Sequence, residues 1–244
     1  MGYYFNTLIA LFIISIISLI GIISIFIKKN ILKKGLFFLI AFSIGTLLGN
    51  AFFHLIPESI KYISQFTTYL IVIFGILFFF ILEKIICWRH CHIEISKKHH
   101  HQIGYMPFIG DSIHNLIDGA IIASSFLISN PLGIVTTIAV ILHEIPQEIG
   151  DFSIMLYAGF EKTKAIFLNF LSALFAFLGA IIILYLKINF YYLLPFAAGG
   201  FIYIASSDLI PELHKQTKIT KTITQIIGIL FGILIMIFLL YTLD

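Results

Sequence analysis

The sequence predicts an all-α, polytopic membrane protein of eight transmembrane helices, and three observations carry that prediction. Of the 244 residues, 60% are hydrophobic and only 11% are charged, with a mean hydropathy of +1.06. A water-soluble domain of this size has no interior large enough to hide so much apolar surface, so the solvent is lipid. Apolar stretches of about 20 residues, the length that crosses hydrocarbon, recur with short polar breaks between them. The basic residues, finally, alternate from loop to loop.

Breaking the chain at its polar clusters gives spans over 5–27, 36–57, 68–87, 105–128, 132–158, 164–186, 191–212 and 222–242. The first is too long for a signal-peptide core and runs into Lys28 and Lys29 with no small-residue cleavage site, so it is expected to stay as a helix. The whole, 1–244, forms one membrane domain. Within it, 1–87 holds helices 1 to 3, 88–104 is a His-rich cytoplasmic loop, 105–158 is the hairpin of helices 4 and 5, and 164–244 holds helices 6 to 8. The odd-numbered loops carry thirteen Lys and Arg, the even ones only Lys61 and Lys187. That bias places the odd loops in the cytoplasm and both termini on the other side. A plasma or cytoplasmic membrane is the expected location.

An internal echo adds to the topology. His54-Leu55-Ile56-Pro57-Glu58 closes span 2 and Asp208-Leu209-Ile210-Pro211-Glu212 closes span 7, at opposite faces of the membrane. A motif repeated on helices of opposite direction is what an inverted repeat shows, with spans 1 to 3 mirrored by 6 to 8 around a central pair, a 3+2+3 bundle.

Ionisable side chains in hydrocarbon cost about 2.5–3.5 kcal/mol each on insertion scales, which makes them functional candidates. They collect on spans 4 and 5. Asp111, His114, Asn115 and Asp118 stand at i, i+3, i+4 and i+7, one helical stripe, and His143, Glu144, Gln147, Glu148 and Asp151 share one broad face. Only Ser129, Asn130 and Pro131 separate the spans, so the two faces meet in an antiparallel hairpin. Carboxylates facing one another without a cation repel; a bound dication resolves the conflict. Imidazole with carboxylate oxygen suits zinc, iron, manganese or nickel, and the absence of thiolate argues against copper(I) or a tight structural zinc site. Interhelical hydrogen bonding is the bland alternative for any one of these residues. Nine on two adjacent spans exceed what such bonding needs. Pro146 sits among them and cannot donate to the Leu142 carbonyl, so a kinked helix lining a pathway is expected.

Two other classes compete. His143-Glu144 begins an H-E-x-x-H metalloprotease pattern, but Gln147 holds its fifth position and Pro146 interrupts the turn. A receptor or hydrolase with a structural metal would not need its ligands on a mid-membrane hairpin. No catalytic residue or cofactor is assigned.

At these residues the sequence resembles a known family. His114-Asn115-Leu116-Ile117-Asp118-Gly119 is similar to the fourth-helix signature H-N-F-x-D-G of the ZIP (Zrt/Irt-like) metal transporters, and His143 to Asp151 resembles the fifth-helix signature of the zinc-transporting branch. Gly45 to Glu58 and Ala198 to Glu212 look like that family's second and seventh helices. The resemblance implies an eight-helix carrier of zinc toward the cytoplasm, with iron, manganese or cadmium as alternative cargo. It implies His114, Asn115, Asp118, His143, Glu144 and Gln147 as metal ligands. Gln147 departs from the usual His, and helix 6 lacks a carboxylate found in some branches, so one well-formed site is expected rather than two.

Further residues extend the reading. Asn50, His54 and Glu58 at the outer end of span 2, Asp111, Glu148 and Asp151 beside the ligands, and Asp208 and Glu212 at the inner end of span 7 are candidates for the ion's path. His90, Cys91, His92, His99, His100 and His101 are candidates for metal capture in the loop, although their spacing matches no fixed zinc motif. Gly199 and Gly200 read as a close helix contact. The expected partners are the metal ion, the lipid bilayer and a second copy of the chain in a homodimer, with no nucleic acid.

Overall fold

The structure, a computed structural model, describes residues 2–22, 29–88, 105–186, 190–214, 216 and 219–243. Among them 94% are helical and none lies in a strand. α1 (Gly2–Ile17) ends in a 3-10 turn. α2 (Lys29–Asn50) runs into a π-helical segment, Ala51–Leu55, and then into the short α3 (Ile56–Ile60). α4 (Gln65–Trp88), α5 (Tyr105–Ile128) and α6 (Asn130–Tyr157) follow. The predicted sixth span is two helices, α7 (Lys162–Ala173) and α8 (Phe175–Leu186), joined at Leu174. α9 (Leu193–Tyr203) leads through a second π-helical segment, Ile204–Leu209, into α10 (Ile210–His214), and α11 (Ile219–Leu243) closes the described chain.

Among the described residues, seven stretches are long and apolar enough to cross a membrane: Gly2–Ile20, Phe37–Ile60, Gln65–Ile85, Asn130–Phe152, Lys162–Tyr185, Leu193–His214 and Ile219–Thr242. α5 has the same length, but its polar stripe dilutes its hydropathy and it is not among the seven.

Burial is arranged as lipid demands. Phe5 and Phe12 on α1, Phe66 and Phe74 on α4, and Leu234 and Phe238 on α11 point outward, exposed. Asn50, Asp111, Asn115, Asp118, His143, Glu144, Glu148 and Asn169 are buried. In water this distribution would be inside out; in hydrocarbon it keeps costly polar groups in the bundle and gives the lipid an apolar surface.

Small residues let the helices approach. α2 packs along α11 and α4 along α9. In the second pair Gly75 faces Gly199 so closely that a Cβ on either would run into a carbonyl of the other helix, Phe196 or Val72. Gly200 lies against the Phe79 ring, so the expected close contact at 199 and 200 is present. Gly45 and Gly232 make the matching approach between α2 and α11. The two L-I-P-E segments are alike in structure as well: each leaves a π-helical segment and forms a five-residue helix.

Candidate metal site

The hairpin that carries the site is tighter than expected, because among residues 129 to 131 only Ser129 lies outside a helix. Its hydroxyl accepts from the Leu132 backbone N–H at 3.2 Å, and Pro131, which lacks an N–H, is tolerated in the first turn of α6 where no helical acceptor needs it. At 1.5 Å of rise per residue, His114 on one arm and His143 on the other both lie about 20 Å from this tip. The two stripes therefore meet at one depth.

There four donor atoms converge. His114 Nε2 lies 3.0 Å from His143 Nε2. Asp118 Oδ2 is 3.4 Å from the first imidazole and 3.2 Å from the second, and Glu144 Oε1 is 3.7 and 3.6 Å from them. All four can serve as ligands within 4.8 Å of one another. A tetrahedral zinc with bonds of 2.0–2.1 Å has edges of about 3.3 Å between its donors. Five edges of this group, 3.0 to 3.7 Å, bracket that value.

The surroundings orient the group. His143 Nδ1 sits 3.1 Å from the Ala139 carbonyl, one turn back on α6; with its proton donated there, Nε2 keeps its lone pair for a metal. Asp118 Oδ2 and both Glu144 oxygens are buried and meet no hydrogen-bond donor among the described residues. Buried oxygens in that state call for a cation or a proton.

Of the six expected ligands, the four with imidazole or carboxylate groups form this cluster; the amide nitrogens of the other two are held by Asp111, and the Asn115 Oδ1 is buried with no partner among the described residues. Asn115 Nδ2 donates to Asp111 Oδ1 at 3.1 Å and to the Asp111 carbonyl at 3.2 Å, and Gln147 Nε2 donates to Asp111 Oδ1 at 3.0 Å. Asp111 in turn joins Glu144 and Glu148 in a second group of three buried carboxylates, with Glu144 common to both. α7 supplies residues that the sequence reading passed over: Asn169 Nδ2 donates to the Glu148 carbonyl at 3.1 Å, and Ser172 Oγ to the Asn169 carbonyl at 2.8 Å. Two polar residues three apart in an apolar span were the available signal.

The Leu142 carbonyl, which Pro146 leaves without a helical donor, is met by Ser43 Oγ of α2 at 2.5 Å, and α6 continues as one helix through position 146. A hydroxyl thus satisfies the group expected to mark an open pathway.

The remaining candidates are spread out. Asn50 is buried, and its amide meets no partner among the described residues. His54 is buried in the π-helical segment with Nε2 2.9 Å from the Met236 carbonyl, and Glu58 pairs with Lys61 at 2.6 Å. Both line a cavity of about 60 Å³ beside the hairpin tip, room for a few waters. Asp151 is half-buried one turn beyond Glu148, and Glu212 is half-buried on α10. The side chain of Asp208 lies outside the described residues, as do His90, Cys91, His92, His99, His100 and His101.

Comparison with known proteins decides the family. The model of the ZIP zinc transporter family matches residues 5–104 and 89–240. The chain belongs to the ZIP zinc transporter family. Its relatives include Zinc transporter ZIP13 of Pongo abelii, 34% identical over 219 residues that cover 82% of this chain and 65% of the relative. Zinc transporter ZIP13 of Mus musculus is 31% identical over 248 residues, 82% and 69% of the two chains. The Zinc transporter ZIP13 homolog of Drosophila melanogaster is 30% identical over 267 residues, 81% and 75%. The chain spans about two thirds of the length of the first two relatives. Family membership makes it a multi-pass integral membrane protein of a transporter family.

Proposed function

We propose that this protein carries a divalent transition metal, zinc first among them, across a membrane through the His114, Asp118, His143 and Glu144 group. The observation behind the proposal is the set of four donors with zinc-sized separations, two of them imidazole nitrogens and two of them carboxylate oxygens without donors of their own. Two neutral and two anionic ligands balance a dication. Oxygen ligands that exchange readily suit an ion that has to leave as well as arrive. Relatives named as zinc transporters favour zinc over iron, manganese or cadmium.

α5 counts as a crossing in this reading, giving eight spans with both termini outside and inward transport in a 3+2+3 arrangement. The paired π-helical segments and the matching Gly45–Gly232 and Gly75–Gly199 approaches support the repeat. A carrier also fits better than a protease, since the amide of Gln147 is turned to Asp111 and leaves the H-E-x-x-H pattern without its second imidazole.

The test is uptake of radioactive zinc into proteoliposomes, with iron, manganese and cadmium as competitors. His143→Ala and Asp118→Ala each abolish uptake while the purified protein still elutes as one folded species. Normal transport by His143→Ala removes the site assignment.

A further inference from the structure

We propose that Ser43 is a positioning residue for metal binding: its hydroxyl holds the Leu142 carbonyl and so fixes the His143–Glu144 turn against α2 in the arrangement where the four donors meet. The inference rests on the reading of that group as the metal site.

Pro146 has no N–H, so the Leu142 carbonyl has no helical partner. A carbonyl without a donor is costly inside a bilayer, and water is scarce there. Ser43, buried on α2, supplies the donor from outside the helix at 2.5 Å. Leu142 directly precedes His143. Whatever anchors that carbonyl therefore sets the position of the peptide unit that leads into His143, with Glu144 on the next residue of the same helical turn.

The same hydroxyl lies 2.8 Å from its own Leu39 carbonyl, one turn back on α2. A serine has one hydrogen, shared between the two acceptors. Back-bonding to Leu39 stays available wherever α6 goes, so Ser43 can release Leu142 without being left unsatisfied. The cost of release falls on the carbonyl alone, which is then free to take a water or an ion. α2 is a firm base for this anchor: it is pressed to α11 at Gly45 and Gly232, and the Thr46 hydroxyl donates to the Ser43 carbonyl at 3.0 Å. Without the hydroxyl, the assembled arrangement is a smaller share of the population, and apparent affinity falls by that share.

The test measures zinc affinity by chelator competition on the purified full chain, together with the concentration dependence of uptake, for wild type, Ser43→Ala, Ser43→Thr and His143→Ala. Ser43→Ala weakens zinc binding and raises the uptake KM by about three- to tenfold, the worth of one hydrogen bond, while the maximal rate stays within about twofold. Ser43→Thr, which keeps the hydroxyl, binds as wild type does. Wild-type affinity in Ser43→Ala overturns the proposal whatever its thermal stability, as does a folded Ser43→Thr as weak as Ser43→Ala. Should His143→Ala bind zinc normally, the metal-site reading fails and this proposal with it; loss of binding there beside an unaffected Ser43→Ala sinks the proposal alone.

Discussion

The side-chain amide of Gln147 donates to Asp111 Oδ1 at 3.0 Å, joining the two helices of the hairpin one turn beyond the His143–Glu144 pair. Asn115 donates to the same oxygen from its own helix. Two neutral donors thus hold one buried carboxylate that has Glu144 and Glu148 for neighbours.

Gln147→Glu replaces a donor with a third acceptor against Asp111. The metal-free variant melts about 5 °C below wild type, the effect of a lost buried hydrogen bond with added like-charge repulsion. Saturating zinc narrows the gap, because a cation offsets the added charge. Differential scanning fluorimetry with and without zinc reads both numbers, and an unchanged metal-free melting temperature removes Gln147 from this contact.

Zinc itself stabilises the fold. A ligand at a hundred times its Kd adds about 2.7 kcal/mol, which corresponds to roughly 5–10 °C for a chain of this size. Chelation reverses the gain. His114→Ala, lacking one of the four donors, shows almost none of it; full protection of that variant by zinc would place the ion elsewhere.

Gly199→Val tests the α4–α9 contact separately from the metal. Its side chain has nowhere to go except into the Val72 carbonyl, so the helices separate and the yield of monodisperse protein drops, with a stability loss of about 1–3 kcal/mol. Zinc affinity of the fraction that folds is unchanged. A variant that folds normally but binds zinc poorly contradicts a purely packing role for Gly199.

Much of this is legible in the sequence. The spans could be found because crossing hydrocarbon imposes a length and a composition, and the stripe of Asp111, His114, Asn115 and Asp118 stood out because each member is expensive in lipid. Spacing alone also brought His143 and Glu144 to the facing helix. What spacing does not encode is the partner of a side-chain amide: the nitrogens of Asn115 and Gln147 both donate to Asp111, a contact set by the nearby acceptor. Ser43, Asn169 and Ser172 were missed because an isolated small polar residue in an apolar span costs little and forms no pattern. The π-helical segments left no mark that periodicity could detect, since one extra residue per turn shifts a face that apolar neighbours already surround.

With Ser129 alone between them, α5 and α6 are joined at the tip by a link that spans at most about 3.6 Å per residue. The arms are therefore held in register at the tip and cannot slide lengthwise past each other. A grip made of two fingers from each arm, about 20 Å below that pivot, inherits its alignment from a single residue.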